Sequence, residues 1–276
     1  MLKPGAAVIL PGVANALAAR VVADCGFPAA YITGAGIANT FLGIPDNGLV
    51  TVSELASHVT AIREVFPGPL MVDADTGFGN ALNMRRTIQM LERAGADAIQ
   101  IEDQVFPKRC GHFEGKEVIP AAEMVAKIKA AVDARTDPDL MIVARTDAIA
   151  VEGFEKAMER AHAFRNAGAD IGFVEAPTTP EQIAAIGLLP YPQIANMVIG
   201  GKTPEPPNNE LKRLGFAGVL YANTALQAAV LGMQRALGHL KQNGMIGDVT
   251  DLLASFTERQ RLVDIATFQA IERKYK

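Results

Sequence analysis

A short unit recurs along the chain: a helix end, then a glycine, then a brief apolar run. In one copy Ala167–Asp170 precedes Ile171–Glu175, and related copies begin at Cys25, Ala94 and Leu214. Glycine suits the left-handed residue that ends many helices. Apolar runs without polar alternation are typical of parallel strands that are buried on both faces. The unit therefore predicts parallel strands that each follow a helix.

Eight predicted strands alternate with amphipathic helices. The remaining apolar runs lie at 7–10, 70–72, 140–144 and 193–195, and the amphipathic stretches lie at 54–65, 83–93, 121–134 and 154–166. Eight strand–helix units in 276 residues predict an α/β fold, a closed (β/α)8 TIM barrel, rather than an open doubly wound sheet. No Pro/Gly/Ser-rich linker divides the chain, and Lys202–Asn209 is predicted as a loop. We therefore expect one domain over residues 1–276.

Further helices are predicted after the eighth strand, beyond those that a (β/α)8 barrel requires. A long helix is predicted over Leu226–Asn243, and residues 248–275 are rich in helix formers. We expect the C-terminal helices, residues 244–276, to pack either on a partner subunit or on their own barrel. The sequence leaves both arrangements open.

Charge and hydropathy exclude several classes of protein. The net charge is −4 and the sequence contains no block of Lys and Arg, which argues against a nucleic-acid partner. The apolar runs are too short to span a bilayer, and the first residues do not resemble a secretory signal. Two cysteines are too few for a disulfide framework. We expect a cytoplasmic protein that acts on a small molecule, without nucleic-acid or membrane partners.

Polar residues follow nearly every predicted strand. They are Thr33, Asp73, Asp75, Glu102, Asp103, Arg145, Asp147, Glu175, Asn196, Tyr221 and Asn223. Active sites of TIM barrels lie at the C-terminal ends of the strands. The alternative is that each residue caps the next helix, since Asp, Thr and Asn do this well. A ring of such residues on successive strands favours an active site.

Three carboxylates in that ring indicate a metal site. Asp73, Asp75 and Glu102 follow adjacent strands and would repel one another without a bound cation. Mg²⁺ prefers oxygen ligands and keeps several of its waters, so one or two carboxylates can bind it directly while others hold its waters. The alternative is that the three carboxylates are solvated separately.

The two cysteines have different surroundings. Cys110 follows Lys108 and Arg109 and precedes His112, and positive neighbours favour the reactive thiolate form. Cys25 lies at a predicted helix end beside Gly26, where we expect a packed core thiol. The sequence therefore predicts that Cys110 is functional and Cys25 structural.

Several motifs of the chain resemble those of a known family. Lys108–His112 is similar to the lysine–(lysine or arginine)–cysteine–glycine–histidine signature of the isocitrate lyase/phosphoenolpyruvate mutase superfamily, and Val72–Gly79 resembles its metal loop. Further matches occur in the family's order at Pro45–Asp46, Ile101–Gln104, Ala144–Ala148, Glu175–Pro177 and Gly201–Pro204. The resemblance extends from about Leu10 to Lys276.

The resemblance implies a role for each matched residue. Mg²⁺, with Mn²⁺ as an alternative, would be held by Asp73, Asp75 and Glu102, directly or through water. The implied catalytic residues are Tyr31, Lys108, Cys110, His112, Arg145 and Glu175. The implied substrate-binding residues are Thr33, Gly34, Ala35, Asp46, Gly111, Arg145 and Asn196. Residues 108–112 would lie on a loop that closes over the site. The family's assembly implies a homotetramer with a swapped C-terminal helix.

The implied reaction is cleavage of a carbon–carbon bond in a 2-hydroxy dicarboxylate or tricarboxylate, such as 2,3-dimethylmalate or 2-methylisocitrate, to pyruvate and a second carboxylic acid. Cys110 would protonate the departing carbanion as a general acid. Tyr31 and a metal-bound water both remain candidates for the base that deprotonates the substrate hydroxyl. Hydrolysis or decarboxylation of oxaloacetate at the same metal site is the alternative activity.

Departures from the family's sequence patterns indicate which members of the family this chain resembles most. Phosphorus–carbon enzymes of the superfamily carry an asparagine-containing loop where this chain has Cys110, so that chemistry is disfavoured. Ile199 stands where the dimethylmalate lyase-like branch commonly has Glu, and the loss of a polar group there weakens the case for a third substrate carboxylate. Tyr221–Asn223 departs from the tyrosine–proline pattern of methylisocitrate lyases. These differences favour a small 2-alkylmalate-like substrate over 2-methylisocitrate.

Overall fold

The predicted TIM barrel is confirmed. The computed structural model describes residues 1–108, 115–247 and 251–276. Eight parallel strands form a closed barrel in chain order, and β1 pairs with β8 to close it. The strands are β1 (Val8–Val13), β2 (Ala30–Ile32), β3 (Leu70–Asp73), β4 (Ala98–Glu102), β5 (Met141–Thr146), β6 (Ile171–Val174), β7 (Gln193–Asn196) and β8 (Gly218–Tyr221).

Helices alternate with the strands and surround the barrel. They are α1 (Ala16–Asp24), α2 (Gly34–Ile37), α3 (Val52–Arg63), α4 (Ala81–Ala94), α5 (Ala121–Ala134), α6 (Ile149–Glu152), α7 (Phe154–Asn166), α8 (Pro180–Gly187) and α9 (Asn208–Arg213), with a π-helical turn at Ala38–Leu42. Three more follow the barrel: α10 (Thr224–Asn243), α11 (Phe256–Leu262) and α12 (Ile265–Lys274). The amphipathic stretches predicted at 121–134 and 154–166 coincide with α5 and α7. The last two residues of the predicted loop 202–209 belong to α9, which begins at Asn208.

The strands are buried on both faces, which explains their apolar character. Inward side chains form a cluster inside the barrel that includes Leu10, Tyr31, Val143 and Phe173. Outward side chains pack against the helices in two larger clusters. Burial of apolar surface on both sides of each strand is the main stabilising contribution to such a sheet.

The repeated glycines have the conformation that the sequence predicts. Their φ angles are positive, at Gly26 (79°), Gly95 (101°), Gly168 (105°) and Gly215 (96°). At Gly95 a side chain would also collide with Arg63, because an added Cβ would lie 2.6 Å from its side-chain carbons. Glycine at this position therefore lets α4 end and β4 begin without a clash.

The C-terminal helices are partly docked on the same chain. Arg261 of α11 donates two hydrogen bonds of 2.7 Å to the carboxylate of Asp24, and Arg20 donates to the carbonyl of Leu262 at 3.3 Å. By contrast, α10 and α12 expose large apolar side chains: Val230, Leu231, Met233, Leu237, Leu240, Ile265, Phe268 and Ile271. No helix in the described part of the chain combines the length and apolar character needed to cross a bilayer.

The prediction that Cys25 is a packed core thiol is wrong. Cys25 is a free, exposed cysteine. Helix α1 ends at Asp24, and Cys25 lies in the turn that leads into Gly26, beyond the buried Ala19 and Val22 of that helix. The apolar neighbours in sequence therefore do not surround the thiol.

Two leucines of α4 provide a test of the core. Leu91 is 0% exposed and Leu82 is 77% exposed. We expect Leu91→Ala to lower the free energy of unfolding by ~2–5 kcal/mol, because it leaves a cavity between helix and barrel. The matched Leu82→Ala should change it by less than about 0.5 kcal/mol. Urea denaturation followed by circular dichroism measures both, and equal losses would contradict this packing.

Candidate active site

A polar cavity opens at the C-terminal ends of the strands. Nine of the residues that line it are sequence-predicted site residues: Tyr31, Thr33, Ala35, Asp46, Asp73, Lys108, Arg145, Glu175 and Asn196. Val198, Leu220, Ala222 and Asn223 complete the lining. Gly34, Asp75 and Glu102 lie directly beside these residues, as the contacts below show. Strands on all sides of the barrel thus contribute to one site.

The loop after β3 holds Asp75 in an unusual conformation. Asp75 has φ 48° and Phe78 has φ 60°, values that non-glycine residues adopt at an energetic cost. The loop is fixed from outside, since Lys127 Nζ donates to the Thr76 carbonyl and Thr87 Oγ1 to the Gly77 carbonyl, both at 3.0 Å. These bonds keep the Asp75 side chain turned back toward the cavity.

Asp73 and Asp75 converge beside β2. Asp73 Oδ1 accepts hydrogen bonds from the Asp75 amide at 3.2 Å and from Gln100 Nε2 at 3.1 Å. A Cβ built on Gly34 would lie 3.2 Å from Asp73 Oδ2 and 3.3 Å from Asp75 Oδ1. Glycine at position 34 therefore leaves room against both carboxylates, where a side chain would crowd them.

Burial leaves the carboxyls of Asp75 and Glu102 poorly solvated. Burial raises the pKa of Asp75 to about 7, and the nearby charges of Asp73 and Asp46 add to the rise while Lys108 opposes it. Burial also raises the pKa of Glu102 well above its usual value, against the influence of Arg145. A cation beside these carboxyls would favour their ionised forms.

Lys108 supplies one such cation. Its ammonium lies 2.6 Å from both carboxylate oxygens of Asp46 and 2.9 Å from Asp75 Oδ1. Burial alone would lower the pKa of Lys108, but the surrounding carboxylates raise it well above its usual value. Lys108 is therefore charged, and it links the loop after β2 to the loop after β3.

The residues present fit a hard divalent cation. Among the residues that the structure describes, the buried Glu102 Oε1 accepts no hydrogen bond, and Asp75 Oδ1 is contacted by the Lys108 ammonium. In residues 1–108, 115–247 and 251–276, no group of three or more His, Cys, Asp or Glu side chains converges into a cage for a metal. Mg²⁺ needs no such cage, because one or two carboxylates with waters and substrate oxygens satisfy it. Asp75, Asp73 and Glu102 would hold it.

Arg145, on β5 beside Glu102, is the second cation of the cavity lining. It donates to Asp147 through Nε at 2.9 Å and Nη2 at 3.0 Å. Its Nε lies 3.4 Å from Glu102 Oε2, its Nη2 lies 3.7 Å from Glu175 Oε1, and its guanidinium lies 5.1 Å from the centre of the Phe173 ring. A guanidinium fixed on several sides is well suited to bind a carboxylate in a defined orientation.

Two asparagines bring buried acceptors to the cavity. Asn196 Nδ2 donates to both oxygens of Glu175 at 3.2 Å. The Oδ1 atoms of Asn196 and Asn223 are buried and accept no hydrogen bond within the described residues. Buried polar atoms are normally paired, so both atoms are suited to a ligand that donates hydrogen bonds.

Tyr31 is placed to donate rather than to accept a proton. Its hydroxyl donates to Gln100 Oε1 at 3.0 Å. Burial, reinforced by the charge of Asp73, raises the pKa of Tyr31 well above its usual value. Tyr31 and a metal-bound water both stay candidates for the base.

Helix capping explains one residue of the ring. Thr33 caps α2, and its Oγ1 accepts from the Gly36 amide at 3.1 Å. Asn223 has the cap position of α10 without a side-chain hydrogen bond to that helix. Asp147 is buried in ion pairs with Arg145 and Lys116, and the cap residue of the next helix, α6, is Ala148. Thr33 therefore has a structural role in addition to lining the cavity.

Part of the predicted signature lies outside the described residues. This applies to Cys110, Gly111 and His112, which fall within 109–114. The segments on either side are paired, since the Val105 amide donates to the Glu117 carbonyl at 2.9 Å and the Ile119 amide to the Asp103 carbonyl at 2.8 Å. Both ends of the intervening stretch are thus joined next to Glu102.

Sequence reasoning missed several buried polar residues around the site. Lys116, Gln100 and Arg160 received no role, although each is buried beside the strand ends. Asp103 belongs to the predicted ring of polar residues, but the sequence does not show that it is buried and joined to several side chains. It accepts hydrogen bonds from Thr146 Oγ1 at 2.7 Å and from Arg160 Nη1 at 3.1 Å. A glutamine within the apolar run of β4 was a signal that could have revealed Gln100.

Known proteins resemble this chain over nearly its full length. The family model described as phosphoenolpyruvate phosphomutase matches residues 1–241. A 2,3-dimethylmalate lyase from Eubacterium barkeri is 42% identical over 97% of this chain and 93% of that protein. A 2-methylisocitrate lyase from Aeropyrum pernix is 46% identical over 93% of this chain and 82% of that protein.

Solved structures show the same likeness. A crystal structure of 2,3-dimethylmalate lyase, a member of the PEP mutase/isocitrate lyase superfamily, has a TM-score of 0.93 and 35% identity, covering 99% of this chain and 91% of that one. An oxaloacetate acetylhydrolase bound to 3,3-difluorooxalacetate has a TM-score of 0.92 and 30% identity, covering 98% and 93%. The chain belongs to the phosphoenolpyruvate mutase/isocitrate lyase superfamily. The predicted superfamily and the prediction of an enzyme related to carbon–carbon lyases are confirmed.

Asp75 gives the direct test of the metal site. Asp75→Asn removes the charge while keeping a side chain that tolerates the left-handed backbone. We expect the affinity for Mg²⁺, measured by isothermal titration calorimetry, to fall by about tenfold to 100-fold. The control Asp133→Asn changes an exposed carboxylate of α5 and should leave the affinity unchanged. Unaltered Mg²⁺ binding by Asp75→Asn would mean that the metal binds elsewhere.

Proposed function

We propose that this chain is a Mg²⁺-dependent carbon–carbon lyase that cleaves a 2-hydroxy dicarboxylate resembling 2,3-dimethylmalate to pyruvate and a second carboxylic acid. One observation carries the proposal: Asp73 and Arg145, with Asp75 and Glu102 beside them, face one polar cavity at the barrel's C-terminal end. A 2-hydroxy acid needs this combination, because a metal can chelate its hydroxyl and carboxylate oxygens while an arginine binds a carboxylate.

The residues divide the chemistry between them. Bound Mg²⁺ would lower the pKa of the substrate hydroxyl and polarise the carbonyl that forms there. Arg145 would bind a substrate carboxylate, and Asn196 and Glu175 would orient the substrate. A base, for which Tyr31 and a metal-bound water are the candidates, would take the hydroxyl proton as the carbonyl forms and the adjacent carbon–carbon bond breaks. Cys110 would then give its proton to the carboxylate-stabilised carbanion, which departs as the second acid.

The cavity also has apolar lining residues, which support a small, partly apolar substrate. Val198, Leu220 and Ala222 line it, and the cationic side chains among the described lining residues are Lys108 and Arg145. Since Lys108 already contacts Asp46 and Asp75, Arg145 is the cation better placed to bind a substrate carboxylate. This favours a dicarboxylate with alkyl substituents over a tricarboxylate such as 2-methylisocitrate.

Oxaloacetate hydrolysis or decarboxylation is the second candidate. It is supported by the likeness to oxaloacetate acetylhydrolase, one of whose structures contains the product oxalate. A 2-oxo dicarboxylate could chelate the same metal and bind to the same arginine. The two activities differ in their products, which allows a direct decision.

We also infer a homo-oligomer, as the superfamily resemblance implies, and a tetramer with a swapped C-terminal helix remains a prediction. The exposed apolar side chains of α10 and α12 support it, because contiguous exposed apolar surface commonly marks a protein interface. The contact of α11 with α1 shows that part of this C-terminal region also packs on its own barrel.

A substrate panel tests the proposed reaction. With Mg²⁺ present, we expect kcat/KM for pyruvate release from 2,3-dimethylmalate to exceed that from 2-methylisocitrate by tens of times, a gap of ~2 kcal/mol in transition-state binding. Acetate and oxalate formed from oxaloacetate at a higher kcat/KM would establish the second candidate instead. No product from any of the three would contradict both.

The chain's two cysteines allow a matched test of the general acid. Cys110→Ser should reduce kcat by about 100-fold or more, because a hydroxyl is a far weaker acid than a thiol. Cys25→Ser changes the exposed thiol and should leave kcat and KM unchanged. Steady-state kinetics with the preferred substrate measures both variants. Near-normal turnover by Cys110→Ser would remove that residue's proposed role.

A further inference from the structure

We propose that Lys116 is a positioning residue for substrate binding, which acts by sharing Asp147 with Arg145. This inference rests on the proposed function, in which Arg145 binds a substrate carboxylate. Lys116 lies outside the family signature quoted above and received no role from the sequence.

The contact is short and almost completely buried. Lys116 Nζ lies 2.8 Å from Asp147 Oδ1, and the exposed fractions of the two side chains are 2% and 0%. The same oxygen accepts from Arg145 Nη2 at 3.0 Å, while Asp147 Oδ2 accepts from Arg145 Nε at 2.9 Å. Asp147 itself is fixed from behind, because its amide donates to Asp103 Oδ1 at 2.9 Å.

The charges around Arg145 explain why a second cation is needed. Its guanidinium has carboxylates on three sides: Asp147, Glu102 and Glu175. When all three carboxyls are ionised, as a bound metal cation would favour, one positive charge among three negative ones leaves little attraction for a substrate carboxylate. Lys116 adds a positive charge at Asp147, the carboxylate that holds Arg145 most closely. In this poorly solvated region, such charges interact more strongly than in water.

The titration of Asp147 agrees with this sharing. Burial alone would raise the pKa of Asp147, but Arg145 and Lys116 together hold it below its usual range. Asp147 therefore carries a full negative charge that two cations divide. Without Lys116, that charge would act on Arg145 alone, drawing the guanidinium toward Asp147 and weakening its interaction with a ligand.

The probe is oxalate in the presence of Mg²⁺, because it presents carboxylates without requiring turnover. We expect Lys116→Met to raise the Kd for oxalate about tenfold, within the range of coupling between residues of one ion-pair network. Lys116→Arg keeps the charge and should restore most of the affinity. Because oxalate binding requires no turnover, its Kd can be measured even if none of the three substrates of the panel is converted.

A matched control separates this role from general destabilisation. Arg135 pairs with Asp170 at 2.7 Å just before β6, at the opposite end of the barrel. Arg135→Met also removes a partly buried cation from an aspartate. We expect it to lower the melting temperature while leaving the Kd for oxalate unchanged. Should Lys116→Met fail to fold, Lys116→Gln, whose amide can still donate to Asp147 without a charge, takes its place.

A double-mutant cycle decides whether Lys116 acts through Arg145. In an Arg145→Met background, Lys116→Met should change the Kd for oxalate by less than about twofold, because the intermediary is gone. An unchanged Kd for Lys116→Met alone, or the same tenfold loss in the Arg145→Met background, would overturn the proposal. The first outcome would mean that Lys116 is structural, and the second that it acts on the ligand independently of Arg145.

Discussion

Buried negative charge at one end of the barrel is the constraint on which the rest of the site depends. Parallel strands bring their C-terminal ends together, so Asp73, Glu102, Asp147 and Glu175 come close in a poorly solvated place. Each must be balanced by a cation or a hydrogen bond, since isolated buried charges are very unfavourable. Lys108, Lys116 and Arg145 provide part of that balance, and a divalent cation would provide more.

The fold and the lining of the site were largely predictable from the sequence. Short apolar runs, four of them after a helix end and a glycine, identified all eight strands because parallel strands are buried on both faces. Residues directly after those runs, such as Asp73 and Arg145, were recognisable because strand ends converge in any barrel of this kind. The chain's resemblance to a family then gave roles that spacing alone could not.

What escaped prediction depends on contacts between distant parts of the chain. Lys116 meets Asp147 across 31 positions, and Arg160 meets Asp103 across 57, so neither pairing leaves a local pattern. Cys25 was misjudged because its exposure depends on where α1 ends, within a residue or two. The pKa shifts of individual groups could likewise not be predicted from the sequence. Burial raises the pKa of Tyr31 and of Asp75, and burial is a property of the folded chain.

Two residues at the barrel mouth have main-chain angles that restrict which amino acids can replace them. Asp75 and Ala176 have φ values of 48° and 58°, a region that costs most side chains about 1–3 kcal/mol. Glycine at 176 would relieve this cost, whereas a β-branched residue at either position would increase it. Evolution at these positions is therefore limited by backbone shape as well as by chemistry. Replacing either residue by another of similar polarity would therefore not, in general, leave the stability of the fold unchanged.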